Sequence, residues 1–362
     1  MSDYSPQLKE IASKKDKLVI FAGNGVTSAT GIPTWGKLLI ELENKLGLSG
    51  ILTKKNANEL IDSIDYSSEA QKLYDAICRK EKEKGKEKFN KSLNSLLDTC
   101  HWDYGPSQLN IIHVCKRIVT TNFDNTFEEA NRDYYFFKNE TPKPFEIKQL
   151  PNILPTDIFK EYCLIYLHGR RETDGYQLIF KENDYRKFYA KNNLNEIECN
   201  KLKDFYKLLF MSNTVLFVGF SFDDFYFLKT IELIRDEIKK DDAVGLDVSS
   251  KYSPNFSSQN HYTFLYNKEK KFRDEIKSQE NEKAKLFPSD SKYDKINDTI
   301  KELENKISNF NNLQERLKQL HIMPLIYNDH KEYRKWLAEI IEIPESSMSV
   351  QKAVDKWSPN DA

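Results

Sequence analysis

No stretch of the 362-residue sequence is apolar for anything near the length that spans a bilayer, and Met1 to Glu10 lack the basic and hydrophobic regions of a signal peptide. A cytoplasmic protein is expected. Excess positive charge is missing too: 55 Lys and Arg stand against 56 Asp and Glu, so no overall field exists to hold nucleic acid by neutralising phosphates. A nucleic-acid role would need a partner. Cysteine is scarce, and the five present (Cys78, Cys100, Cys115, Cys163 and Cys199) are odd in number, widely spaced and free of any C-x-x-C pair. This argues against a disulfide framework and a structural zinc module, and leaves each as a small buried hydrophobe. No internal repeat emerges. The length suits one elaborated domain or two modest ones.

What is present is organised around Leu18 to Trp35, which reads as a buried strand, a glycine turn and the start of a helix. Leu18 to Phe21 form an apolar run of strand length, and Gly23-Asn24-Gly25 lets the backbone turn with no Cβ in the way. A phosphate would sit at such a turn, where exposed amides carry partial positive charge, with Thr27 and Ser28 to cap a helix or donate to an anion. A plain tight turn between a core strand and a helix explains Gly23 and Gly25 equally well. The dinucleotide fingerprint wants a third glycine where Ser28 stands, and Gly31 arrives late.

Other strands end in comparable residues. Ile118 to Thr121 is β-branched and runs into Asn122-Phe123-Asp124, while Leu164 to Leu167 runs into His168-Gly169. Val215 to Val218, the most apolar strand, closes in Gly219-Phe220-Ser221-Phe222-Asp223-Asp224. In open α/β sheets ligands collect outside the carboxyl ends of strands, so these residues are placed to meet whatever the first turn holds. Asn122 also reads as a turn former and Asp124 as a helix cap. His168 is suited to proton transfer near neutral pH, although a lone histidine is more often structural.

Helices are expected over Ser5 to Lys15, from Trp35 to Leu46 with Gly47 as a stop, and from Pro106 onward. Residues 49–100 read as a charged helical insert, with a Lys/Glu run from Lys80 to Lys88. Phe145 to Leu150 reads as an edge strand, Tyr185 to Phe210 as one or two helices, and Phe225 to Lys240 as an amphipathic helix. His261 to Tyr266 follows as a strand. Residues 268–320 read as a charged helical hairpin projecting from the body, with Ile300, Leu303, Ile307, Phe310, Leu313 and Leu317 forming a narrow seam. Ile322 to Tyr327 returns as a strand, Tyr333 to Ile341 as a helix, and residues 344–362 as a polar tail. The fold class is α/β.

As a set and in this order, Phe21-Ala22-Gly23-Asn24-Gly25-Val26-Thr27 with Gly31-Ile32-Pro33-Thr34-Trp35, Thr120-Thr121-Asn122-Phe123-Asp124, Leu167-His168-Gly169 and Phe217-Val218-Gly219-Phe220-Ser221-Phe222-Asp223 resemble the motifs of sirtuins. The resemblance is strongest to the bacterial sirtuin-like branch found in anti-phage defence. It implies one Rossmann-like domain over residues 1–362, with a parallel sheet flanked by helices and with helical insertions. It also implies NAD+ as substrate, with Asn122 and His168 catalytic. Gly23, Asn24, Gly25 and Thr27 would lie at the pyrophosphate and Asp124 near the nicotinamide end, with Ala22, Pro33 and Trp35 also binding the cofactor. Gly219 and Ser221 would line the adenosine side. Asn24 replaces the family's usual alanine and Thr27 its usual serine.

Protein-deacylating sirtuins carry a four-cysteine zinc ribbon after the H-G strand, whereas Arg170 to Tyr185 contains no cysteine. The implied activity is therefore NAD+ glycohydrolysis to nicotinamide and ADP-ribose, serving abortive infection in antiviral defence, with no zinc. Deacylation or ADP-ribosyl transfer, and a non-catalytic NAD- or ADP-ribose-binding regulatory subunit, are the alternatives. Relatives of this length further imply a homo-oligomer and a co-encoded HerA-like ATPase, a DNA translocase, or less often a short Argonaute.

Overall fold

A computed structural model describes residues 4–27, 30–56, 59–60, 65–98, 105–138, 140–171, 178–189, 196–222, 224–243 and 260–341. Ser28, Asp223 and the tail at 344–362 lie outside them. Seven parallel strands form one sheet in the order β5-β6-β4-β1-β7-β8-β9. They are β1 (Leu18–Ala22), β4 (Arg117–Thr120), β5 (Glu146–Gln149), β6 (Cys163–Tyr166), β7 (Thr214–Val218), β8 (His261–Tyr266) and β9 (Ile322–Tyr327). The architecture is a Rossmann-like α/β fold.

Both faces of this sheet are covered, which is why its strands read as continuous apolar runs. Along β1 the side chains alternate. Leu18, Ile20 and Ala22 join a core with α1 (Ser5–Ser13), α5 (Pro106–Val114), α6 (Thr126–Phe137) and α12 (His330–Ile341). Val19 and Phe21 join a second core with α7 (Glu182–Tyr189), α8 (Glu196–Ser212) and α9 (Phe225–Ala243). In that second core the Phe21 ring lies 5.0 Å from Phe217 and 5.2 Å from Phe227, so aromatic contacts weld the two central strands to α9. Burying each such ring is worth about 1.5–3 kcal/mol.

Register then sets the site. Ala22 pairs with Thr120 on one side and Val218 on the other, and Thr120 pairs with Tyr166. The carboxyl ends of β1, β4, β6 and β7 therefore finish level along one edge. The chain leaves β1 for β4 on one side and later returns to the other side as β7, so the strand order reverses between β1 and β7. A crevice opens at such a point.

The segment at 49–100 is not all helical, as the expected insert would be. It opens with an antiparallel pair, β2 (Lys54–Asn56) and β3 (Glu59–Leu60), before α3 (Tyr66–Glu81) and α4 (Glu83–Asp98). Buried carboxylates explain the departure. Glu43 on α2 (Trp35–Lys45) accepts from the amides of Ile51 and Leu52, at 2.9 and 3.1 Å, and Glu69 accepts from the Thr53 amide at 2.9 Å. Side chains thus satisfy backbone donors that a helix would have satisfied. With α2, these helices build a third core that includes Leu42, Leu73, Phe89 and Phe180.

Helices α10 (Lys268–Lys283) and α11 (Ser291–Gln319) pair along the expected hairpin. The end of α11 is not free of the body, because Leu317 is buried in the second core and Arg316 pairs with Glu232 of α9 at 2.7 Å. Cys115 and Cys163 are buried as expected, whereas Cys78 is half-buried on α3. Among the described residues no helix is long and apolar enough to cross a membrane.

Candidate active site

Two backbone loops cross where β1 and β7 end. The Gly23 amide donates to the Val218 carbonyl at 3.0 Å, and the Gly25 amide donates to the Gly219 carbonyl at 2.8 Å. A Cβ on Gly23 would lie 2.6 Å from the Gly219 oxygen, and one on Gly25 would lie 2.8 Å from the Gly219 Cα. Gly219 itself has φ +63°, in the left-handed region. These glycines are required by the crossing of the two chains, whatever the crevice binds.

The turn after Gly23 is a single 3-10 turn closed on itself. The amides of Val26 and Thr27 donate to the carbonyls of Gly23 and Asn24, at 3.2 and 3.1 Å. Thr27 is fully buried, and its hydroxyl donates to the Asn24 carbonyl at 2.9 Å and lies 3.1 Å from Asn24 Oδ1. The amides of Gly23, Gly25, Val26 and Thr27, expected to be exposed to an anion, are thus spent within the protein. Ala22 is buried in β1, its carbonyl accepting from Thr120 Oγ1 at 2.9 Å. Of this stretch, Asn24 and Gly25 reach the cavity.

That cavity is a cleft of about 640 Å³, within the range usual for small-molecule and cofactor sites. Asn24, Gly25, Gly219 and Ser221 line it at the crossing, and Trp35 lines it from α2. A smaller pocket adjoins it, lined by Asn122, Asp124 and Pro33, and Asn24, Trp35 and Thr121 belong to both. The structure therefore brings most of the expected residues to one place, but in two compartments. His168 lines the larger one and Asn122 the smaller.

Asn122 is buried at the end of β4, and its Nδ2 donates to the Gly23 carbonyl at 3.3 Å. One hydrogen of the amide nitrogen is thereby engaged. Asp124 Oδ1 accepts from the Thr126 amide at 3.1 Å and from its hydroxyl at 2.5 Å, the work of a cap on the first turn of α6. Burial pushes its carboxyl above the ordinary range.

His168 is 2% exposed. Its Nε2 lies 3.0 Å from the Tyr189 hydroxyl and its Nδ1 3.4 Å from the Tyr185 hydroxyl. Burial pushes its pKa down to about 3, so the ring is neutral at physiological pH. Asp224 Oδ2 stands 3.9 Å from the same Nε2. Phe222 has φ 58°, and Asp224 Oδ1 accepts from the Phe227 amide at 3.0 Å. Burial raises the Asp224 carboxyl to about 6.

Sequence reasoning missed Asp224 as a site residue, although it stands in the stretch that closes β7. It also missed Asp65 and Tyr66 at the start of α3, and Lys268 and Phe310 from the hairpin, all of which line the cleft. No local signal marks them, since both segments read as solvated helices. Among the described residues lining the cleft, Lys268 carries the positive charge. No group of three or more His, Cys, Asp or Glu among the described residues is placed to hold a metal ion.

Residues 116–287, just under half of the chain, match the family model of the SIR2-like domain. This stretch is similar to a SIR2-like domain. The match takes in Asn122, Asp124, His168, Gly219, Ser221 and Asp224, whereas the glycine turn and Trp35 precede it. The chain is also similar to Defense-associated sirtuin 2 of Bacillus subtilis, with 24% identity over 242 residues, which is 65% of this chain and 21% of that protein. It thus spans about a fifth of the length of that relative.

Proposed function

We propose that the SIR2-like domain binds NAD+ in the cleft and hydrolyses it to nicotinamide and ADP-ribose, as the effector of a bacterial anti-phage system. The observation that carries this reading is the cleft at the β1/β7 reversal, with His168 on its wall and Asn122 in the pocket that continues it. The SIR2-like match and the similarity to a defence-associated sirtuin support NAD+ and defence as the setting.

In this reaction the C–N bond between ribose and nicotinamide breaks, and its electron pair goes to the ring nitrogen. Nicotinamide leaves as a neutral molecule from a cationic ring, so the barrier lies chiefly in forming an oxocarbenium-like ribose, and no strong acid is needed. Water then bonds to the anomeric carbon and gives up a proton. Orientation is the larger task. Asn122 fixes the ribose or the water through its amide, while His168 and the groups around it handle the proton, a contribution of about 10²- to 10⁴-fold. Lys268 offers a charge of the right sign to a dinucleotide.

An unchecked NADase would kill its own cell, so control by self-assembly and by a co-encoded partner, a HerA-like translocase, belongs to the same proposal. The test is nicotinamide release from NAD+ by the purified chain, alone and with that partner, beside Asn122→Ala and His168→Ala. Release that vanishes in both variants supports hydrolysis. Labelled NAD+ with acylated peptides separates transfer, which alone leaves a modified acceptor. NAD+ that binds and stays intact in every setting replaces the proposal with a sensor.

A further inference from the structure

We propose that Tyr185 is a ligand-binding residue of this cleft: its hydroxyl accepts from the Nδ1–H of His168 and donates its own hydrogen to a ribose hydroxyl of the bound nucleotide. This rests on the reading of the cleft as a nucleotide site. Tyr185 and Tyr189 stand one turn apart on α7 and place a hydroxyl at each nitrogen of the imidazole, 3.4 Å from Nδ1 and 3.0 Å from Nε2. Behind Tyr189, at 3.3 Å, lies the hydroxyl of Tyr206. Tyr185 lines the cleft together with His168, whereas Tyr189 and Tyr206 do not.

The hydrogens of this cluster give it a direction. A neutral ring and three phenols carry four hydrogens, and the cluster has three contacts in which to use them. One hydrogen is left over. Tyr206 is fully buried, and among the described residues its hydroxyl has no other partner, so a spare hydrogen there would be an unpaired donor in the core. A spare hydrogen on Tyr189 would also lie away from the cleft. The arrangement that strands neither runs from Tyr206 to Tyr189 to Nε2, with Nδ1–H donating to Tyr185. The spare hydrogen is then that of Tyr185, the phenol on the cleft wall, where a ligand can take it. Nε2 carries the lone pair, the form in which His168 is able to take a proton.

The Tyr185 ring is held by its packing, stacked on Tyr226 with centroids 5.1 Å apart and on Tyr189 at 5.6 Å. Burial, with the charges of Asp224 and Asp65, holds its phenol well above the ordinary range, so it stays a donor. The 3.4 Å to Nδ1 is long, as hydrogen bonds in such sites often are before the ligand arrives.

Charge decides which oxygen takes the hydrogen. Asp65 and Asp224 line the cleft and act on Tyr185, whereas Lys268 follows β8, four strand positions from the end of β6 that carries His168. At about 4.8 Å per strand that separation is roughly 19 Å. An anionic phosphate is thus repelled at Tyr185, while a neutral ribose hydroxyl next to a cationic nicotinamide ring is accepted.

The experiment is calorimetric binding of ADP-ribose, and of ADP, which lacks the second ribose, to the full chain, natural and Tyr185→Phe, beside nitrogen NMR of the His168 ring. Phe keeps the stacking on Tyr226, and circular dichroism checks the fold. Tyr185→Phe should bind ADP-ribose about 2- to 10-fold more weakly, the worth of one neutral hydrogen bond, and bind ADP as the natural protein does. The ring proton of the ligand-free protein should lie on Nδ1. Unchanged affinity for ADP-ribose, equal weakening for both ligands, or a ring proton on Nε2 would overturn the proposal and leave NAD+ cleavage standing, since that is read separately as nicotinamide release by the natural protein. A natural protein that binds neither ligand would remove the proposal together with the nucleotide reading of the cleft.

Discussion

Replacing Gly219 by alanine tests whether the glycines at the crossing are there for the chain or for the ligand. Two costs follow from the structure. Gly219 has φ +63°, where an L-residue costs about 1–2 kcal/mol. Its new Cβ would also lie 2.7 Å from the Gly25 carbonyl carbon, a backbone atom, so the loops must part by several tenths of an ångström. Overpacking of that kind adds about 1–3 kcal/mol. The sum is about 2–5 kcal/mol, a drop in Tm of roughly 3–7 °C for a chain of this size. Gly31 supplies the control. It has φ +82° with nothing within 4 Å of an added Cβ, so Gly31→Ala carries the backbone cost alone, about 1–2 kcal/mol. Urea unfolding of the ligand-free proteins, followed by circular dichroism, reads both. Equal stability losses for Gly219→Ala and Gly31→Ala would refute the crossing argument and return the glycines to a ligand-approach role.

Asn122→Ala should abolish NAD+ cleavage while costing only about 1 kcal/mol, the worth of its hydrogen bond to the Gly23 carbonyl; intact turnover would remove Asn122 from the mechanism. Lys268→Glu should raise KM for NAD+ at low salt and leave kcat nearly unchanged, the difference shrinking as salt is added; a KM equal to wild type would show that the substrate does not approach this lysine. Acid should destabilise the fold below about pH 6.5, because His168 and His261 are held neutral with pKa values near 3 while the unfolded chain protonates its histidines. Asp224 and Asp124 work in the opposite sense, since their folded carboxyls are raised, but His113, lowered to about 4, joins the other two, and three histidines outweigh two carboxylates. Denaturation midpoints at pH 7, 6 and 5 should fall in that order, and a flat series would refute the burial argument.

The sheet was legible because its strands are buried on both faces. Leu18 to Phe21, Leu164 to Leu167 and Val215 to Val218 are short apolar runs bounded by glycine or polar residues, and each lies on a strand that the structure also shows. The same reading placed Asn122, His168 and Gly219 at strand ends, since the polar residue after a buried run marks where the strand leaves the core. The insert at 49–100 was less legible. The stretch that leads into its two short strands is held by Glu43 and Glu69, whose carboxylates take the amides of Ile51 and Thr53 across 8 and 16 residues of separation. Thr27, read as a helix cap or an anion donor, donates its hydroxyl within its own turn. A hydroxyl beside a glycine turn serves either purpose, and only its neighbours decide which.

By itself the sequence determined the α/β class, the positions of the main strands and the polar residues that end them, because burial imposes local patterns of hydrophobicity and turn chemistry. The tertiary structure alone decided that β7 returns beside β1, so that Gly23, Gly25 and Gly219 meet at the crossing and two of them line the cleft. It likewise decided that α3 brings Asp65 and Tyr66, the hairpin brings Lys268 and Phe310, and Asp224 stands beside His168. These meetings join segments far apart in the chain. They are settled by which surfaces pack together, and no local pattern in either segment records its partner.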